Sequence, residues 1–168
     1  GYLPMSAVVT TDDIYQAFLD TSLERAFLHS HSYSGNPLGC AAALASLAVF
    51  DQDQVLVSNK DKSTRIEAGF EQLCQLPGVS RLRGLGMVWA ITLTHPQVSS
   101  AQLGLKVAKL ARDRGLLIRP IGNQLYLMPP YCITGDQLEL VFAILQEACC
   151  LALQEEALAG YTHPSLLA

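Results

Sequence analysis

The sequence predicts an α/β fold in two parts: an N-terminal piece, residues 1–52, and a small α/β domain, residues 53–168, whose sheet is covered on one side by helices. Three observations predict it. Strand-like runs alternate with segments of helical periodicity, in the order β-α-loop-α and then α-β-β-α-β-β-α, with no internal repeat. The helices change character near residue 51, from an uncharged Ala-Ser-Leu-Val run to an amphipathic pattern. With 168 residues, 50% of them hydrophobic and 15% charged, the chain can bury a real core and is too apolar for disorder.

Residues 5–11, MSAVVTT, read as a buried strand rich in β-branched residues. TDDIYQAFL follows as a helix opened by Thr11, with Asp12 and Asp13 complementing the positive end of its dipole. In HSHSYSGNPLGCAAALASLAVF, residues 29–50, Asn36 caps a helix whose first residue is Pro37, where the missing N–H costs nothing. From Leu38 to Phe50 there is no charge, so this helix is expected to be wrapped by protein on most sides. The small polar loop before it then stands on a rigid anchor, which suits an anion or cofactor as well as it suits a plain N-cap.

The second part opens with a helix from about Val55 to Leu76, apolar at Ile66, Phe70 and Leu73 and stopped by Pro77-Gly78. VSRLRGLGMVWAITLT gives two strands joined around Gly84 and Gly86. A helix from about Ser100 to Arg114 shares Leu103, Val107, Leu110 and Ala111 on one face, and Gly115 ends it. LLIRP and QLYLMPP read as short strands separated by the turn signal IGN. Thr134 and Gln137 form a capping box for a last helix running to about Glu156, and the tail LAGYTHPSLLA has no pattern and is expected to fray.

Composition excludes several function classes. A net charge of −4 without a Lys/Arg cluster argues against a nucleic-acid partner, and no apolar run has membrane-spanning length. The five cysteines (40, 74, 132, 149 and 150) are odd in number and lack a C-x-x-C spacing, so buried thiols of a cytoplasmic protein are expected rather than disulfides or zinc. His29 and His31 form H-x-H, but no acidic or cysteine partner lies near, and no metal site is expected. The chain begins on GYLPMSAVV, with Gly rather than Met first and no basic-then-apolar run, and these residues are not expected to act as a signal sequence.

Three stretches carry a family resemblance: GYLPMSAVVTTDDIYQAF, FLHSHSYSGNPLGCAAALASL and GLLIRPIGNQLYLMPPYCIT. From Gly1 to about Ala148 the chain resembles the C-terminal part of a class III pyridoxal-phosphate aminotransferase. G-N-P-L before a Cys-Ala-rich helix is shared across that class. The block I-R-P-x-G-N…Y-L-M-P-P-Y is narrower and resembles the branch that serves biotin biosynthesis, in which S-adenosylmethionine donates an amino group to 8-amino-7-oxononanoate. Enzymes of the ornithine and 4-aminobutyrate type usually differ there.

The resemblance implies a fold-type-I, aspartate-aminotransferase-like architecture: residues 1–52 as the end of the large cofactor-binding domain and residues 53–168 as the small domain. It implies pyridoxal 5'-phosphate as cofactor and a homodimer whose active sites are shared across the interface. The segment Ser30-His31-Ser32 would reach the neighbouring subunit's cofactor, with the hydroxyl and N–H of Ser32 on the phosphate, which needs several converging donors. His31 would contribute through its backbone, and Ser30, often Gly in relatives, would lie against the substrate. Arg119, by itself most simply a surface ion-pair partner, would bind the substrate carboxylate through the two-point contact that Lys cannot make. Tyr126, by itself a packed strand residue, could project into the same site.

The family's Schiff-base lysine is expected upstream of Gly1, so no catalytic residue is assigned here; the isolated chain is expected to be inactive and to expose apolar surface around residues 1 to 50, which the missing part of the large domain would cover. Lys60, Lys62, Lys106 and Lys109 lie on amphipathic helices, and solvated faces are expected to explain them. Two further readings stand beside this one: another class III aminotransferase acting on an ω-amino acid or diamine, and a non-catalytic dimerising module.

Overall fold

A computed structural model describes residues 2–154. The chain divides between Val55 and Leu56 into two compact units.

In the first unit, α1 (Asp12–Phe18) is a seven-residue helix with two acidic residues in its first turn and no buried side chain. The Thr11 hydroxyl does not cap it; the Thr11 carbonyl accepts from the Tyr15 N–H at 3.0 Å. The strand expected at residues 5–11 is absent. No neighbouring strand pairs with these residues among those described, and Val8 and Val9 are almost fully exposed, so β-propensity has nothing to pack against.

Helix α2 (Pro37–Gln52) begins as expected: the Asn36 side chain accepts the Leu38 N–H at 3.0 Å, and Pro37 takes the first helical position. The wrapping expected of it is absent, and the exposed apolar surface expected around residues 1 to 50 of this chain is found. Only Gly39 is buried, and Leu38, Leu44 and Leu47 are each more than 60% exposed. Its apolar residues point all round, and the unit's one other helix, seven residues long, is too small to cover them.

The second unit contains the core. Helix α3 (Val55–Leu73) buries Ile66, Phe70 and Leu73, and a turn with Gly78 at φ +88° leads into the sheet. Strands β1 (Val79–Leu85) and β2 (Val88–Leu93) form an antiparallel hairpin around Gly86 and Met87, with Gly86 at φ +56°. A bulge at Arg81, φ +52°, shifts the register between Ser80 and Arg83. Helix α4 (Ser100–Arg112) buries Leu103, Val107 and Ala111 completely, and the Ser99 side chain caps it. Strand β3 (Gln124–Leu127) adds antiparallel to β2, giving the order β1-β2-β3. Helix α5 (Gly135–Leu153) starts with the full capping box of Thr134 and Gln137. Gln154, in extended conformation, ends α5 short of the expected Glu156, and the tail LAGYTHPSLLA lies outside the described residues.

LLIRP does not form a strand. Residues 116–120 run without ladder pairing, and one bridge, Ile121 to Gln124, closes a two-residue turn. Pro120 has no N–H to give a ladder, which limits pairing on that side.

Trp89, Ile91, Leu93, Leu125 and Leu127 point to the helix-covered face and join Ile66, Phe70, Val107 and Leu145 in one core. The Phe70 ring meets Phe142 of α5 edge-on at 5.3 Å. Alternation then places Arg83, Ala90, Thr92, Gln124 and Tyr126 on the opposite, open face.

Candidate functional site

The loop before α2 is shaped by its own hydrogen bonds. The His31 N–H donates to Ser34 Oγ at 3.1 Å, the Ser34 N–H to the His31 carbonyl at 2.9 Å, and the Asn36 N–H to the Tyr33 carbonyl at 3.0 Å. Gly35, at φ +71°, supplies the left-handed step that leads into the cap. Ser30, His31 and Ser32 are brought together here, all exposed. The backbone of His31 is committed within the loop, whereas the amide and hydroxyl of Ser32 make no hydrogen bond among the described residues. Two outward donors on a tied loop fit a phosphate group supplied from outside this unit.

Arg119 and Tyr126 flank one turn of the second unit, Arg119 before the Ile121–Gln124 bridge and Tyr126 after it on β3. Ile118 is buried and Pro120 faces Gly104 of α4, so Arg119 between them points the other way, to solvent. Pairing on that side stops at the Ile121–Gln124 bridge, and Arg119, two residues before it, is exposed and outside the ladder. Tyr126 is half-buried and sits across from Ala90 of β2. Arg119 has no carboxylate partner among the described residues.

Sequence reasoning missed two residues of the open sheet face. Arg83 reaches across β2, and its Nη2 donates to Gln124 Oε1 on β3 at 2.7 Å. Gln124 Oε1 also accepts from Thr92 Oγ1 at 2.9 Å, and Gln124 Nε2 donates to Asn123 Oδ1 at 2.8 Å. The signal lay in the strand alternation, which puts Arg83 in one row with Ala90 and Tyr126. The bulge at Arg81 hid it, because it moves the register by one residue.

The lysines correct one expectation. Lys60 is exposed, Lys62 donates to the Tyr131 carbonyl, and Lys109 pairs with Asp113 at 2.7 Å. Lys106 is not on a solvated face: it is 7% exposed, and burial pulls its ammonium below the usual lysine range. It follows Leu105 on the turn between Leu103 and Val107, so its stem packs with the apolar stripe of α4. Among the described residues no cluster of His, Cys, Asp and Glu could hold a metal ion, all five cysteines are free thiols, and no single helix is long and apolar enough to cross a membrane.

The profile of class III aminotransferases matches residues 1–149. An adenosylmethionine-8-amino-7-oxononanoate aminotransferase from Synechococcus elongatus is 40% identical over 148 residues, covering 88% of this chain and 34% of that protein. The enzyme of the same name from Helicobacter pylori is 41% identical, with the same coverage. The chain thus spans about a third of the length of the curated relatives it matches. Among solved structures, the adenosylmethionine-8-amino-7-oxononanoate aminotransferase of Methanocaldococcus jannaschii superposes with a TM-score of 0.75 at 33% identity, over 84% of this chain and 34% of that one. A Vibrio fluvialis aminotransferase in a PMP-bound form superposes with a TM-score of 0.69 at 26% identity, over 77% of this chain and 30% of that one. The fold is that of the C-terminal portion of these pyridoxal-phosphate enzymes, and the chain belongs to the class III aminotransferases.

Proposed function

We propose that this chain is the C-terminal part of a pyridoxal-phosphate enzyme that transfers an amino group from S-adenosylmethionine to 8-amino-7-oxononanoate, giving 7,8-diaminononanoate for biotin biosynthesis. The observation that carries the reading is the level of identity, 40–41% across 88% of the chain, to enzymes named for that acceptor. The segment IRPIGNQLYLMPPY, which holds two of the three proposed substrate residues, Arg119 and Tyr126, supports the same branch.

In this reading the cofactor, when bound, supplies an electron sink for the C–H bond next to the reacting nitrogen. This chain's residues bind and orient. Ser32 gives its hydroxyl and N–H to the phosphate, His31 holds the loop through the backbone bonds described above, and Ser30 lies against the substrate. Arg119 fixes the substrate carboxylate by a planar two-point contact, and Tyr126 walls the same end of the chain. The enzyme works as a homodimer with Ser32 serving the neighbouring subunit, and as a cytoplasmic protein, in keeping with five unpaired thiols.

The test offers the full-length enzyme two acceptors, 8-amino-7-oxononanoate and pyruvate. A preference for the oxononanoate supports the reading. A preference for pyruvate with an ω-amino donor would move the chain to the ω-transaminase branch.

A further inference from the structure

We infer that Arg83 is a second positioning residue for the substrate carboxylate, acting beside Arg119; the inference rests on the function proposed above. The geometry comes from the sheet register. Arg83, Ala90 and Tyr126 form one row across β1, β2 and β3, and the middle residue carries only a methyl group. The Arg83 side chain uses that space. It spans β2 and ends at Gln124 Oε1 on the far strand, at 2.7 Å.

Gln124 and Tyr126 are neighbours on the same face, roughly 7 Å apart along the strand. The guanidinium is therefore held on the open face at Gln124, the residue bridged to Ile121 in the turn that follows Arg119, two residues short of Tyr126. Thr92 and Asn123 fix the Gln124 amide, so its oxygen is turned toward Arg83 and the arginine head cannot swing freely.

Neither arginine is neutralised by a carboxylate among the described residues. Two cations at one turn repel each other unless an anion sits near both. A carboxylate on Arg119 supplies that anion. Arg83 need not touch it: a unit charge acting across roughly 7 Å of part-solvated space changes affinity by about three- to tenfold. The apolar residues Val88 and Met128, 43% and 66% exposed, flank the row and suit the methylene chain of a medium-length keto acid.

The experiment compares Arg83→Gln and Arg83→Lys with wild type in the full-length enzyme, using 8-amino-7-oxononanoate and its carboxamide analogue as acceptors. Arg83→Gln should raise KM for the acid about three- to tenfold. It should leave kcat and the carboxamide KM unchanged, and Arg83→Lys should restore most of the loss. An equal effect on acid and carboxamide, or no effect on either, overturns the role and leaves Arg83 as a structural tie. If the enzyme does not aminate the oxononanoate at all, the proposed function fails, and the inference is read from octanoate binding to the 168-residue chain, followed by the Tyr126 ring resonances. Tighter binding to wild type than to Arg83→Gln then supports it, and equal binding overturns it.

Discussion

Gly84 is the position in the sheet where a single methyl group should do most harm. It sits across from Trp89 in the β1–β2 ladder, and the indole ring lies over it. A Cβ built on Gly84 would come within 2.1 Å of the ring's Cδ2 and 2.3 Å of its Cε3, far inside van der Waals contact. The ring has little room to retreat, because Trp89 is 9% exposed and its Nε1 donates to the Gly86 carbonyl at 2.7 Å. Overpacking of this kind costs about 1–3 kcal/mol. Displacing the indole also breaks its hydrogen bond, about 1 kcal/mol more. Gly84→Ala should therefore destabilise the second unit by about 2–4 kcal/mol, which lowers a urea midpoint by about 1–2 M if the slope is near 2 kcal/mol/M. Trp89 is the sole tryptophan, so its fluorescence reports both the unfolding and the local environment. The variant should also emit further to the red in the native state. An unchanged midpoint with unchanged emission would refute the packing described for this hairpin.

Ser32→Ala in the full-length enzyme should weaken cofactor binding by one charge-assisted hydrogen bond, about 1.5–3 kcal/mol, read from the pyridoxal-phosphate dissociation constant; an unchanged constant counts against the loop's role. Arg119→Lys keeps the charge and loses the fork, so KM for the oxononanoate should rise sharply while the cofactor's absorbance stays normal. Unaffected kinetics in a less stable protein would instead make Arg119 a structural residue. Burial, with Cys150 adding to it, pushes the Cys149 thiol from 9.0 up to about 12. Between those values the unfolded chain loses a proton that the native chain keeps, so stability falls as pH rises through this window, by at most about 1.4 kcal/mol per unit. Urea midpoints of Cys149→Ala should fall less steeply over the same window; equal slopes would show the thiol to be less buried than the fold requires.

What was legible in the sequence was the periodicity that a core enforces. Ile66, Phe70 and Leu73 on α3, Leu103, Val107 and Ala111 on α4, and the Thr134–Gln137 box on α5 all stand where local pattern and tertiary burial agree. The failures share a physical cause: pattern reveals what a segment would bury and not what is present to bury it. MSAVVTT and the apolar α2 have the composition of covered elements, yet nothing within the first unit covers them. Lys106 was misplaced because a long aliphatic stem can lie in an apolar stripe while its charge stays tied elsewhere. At the candidate site, Ser32, Arg119 and Tyr126 could be named from residues and resemblance. Arg83 and Gln124 could not, because their meeting depends on a bulge and on a side chain crossing a whole strand.

Nitrogen tracing is the most direct measurement of the proposed reaction. The full-length enzyme, supplied with pyridoxal phosphate, S-adenosylmethionine labelled with nitrogen-15 in its amino group and unlabelled 8-amino-7-oxononanoate, should form 7,8-diaminononanoate carrying one heavy nitrogen, at carbon 7. Mass spectrometry with fragmentation locates the label. Product without label, or label appearing only in the amino product of another keto acid, would contradict the assignment of donor and acceptor.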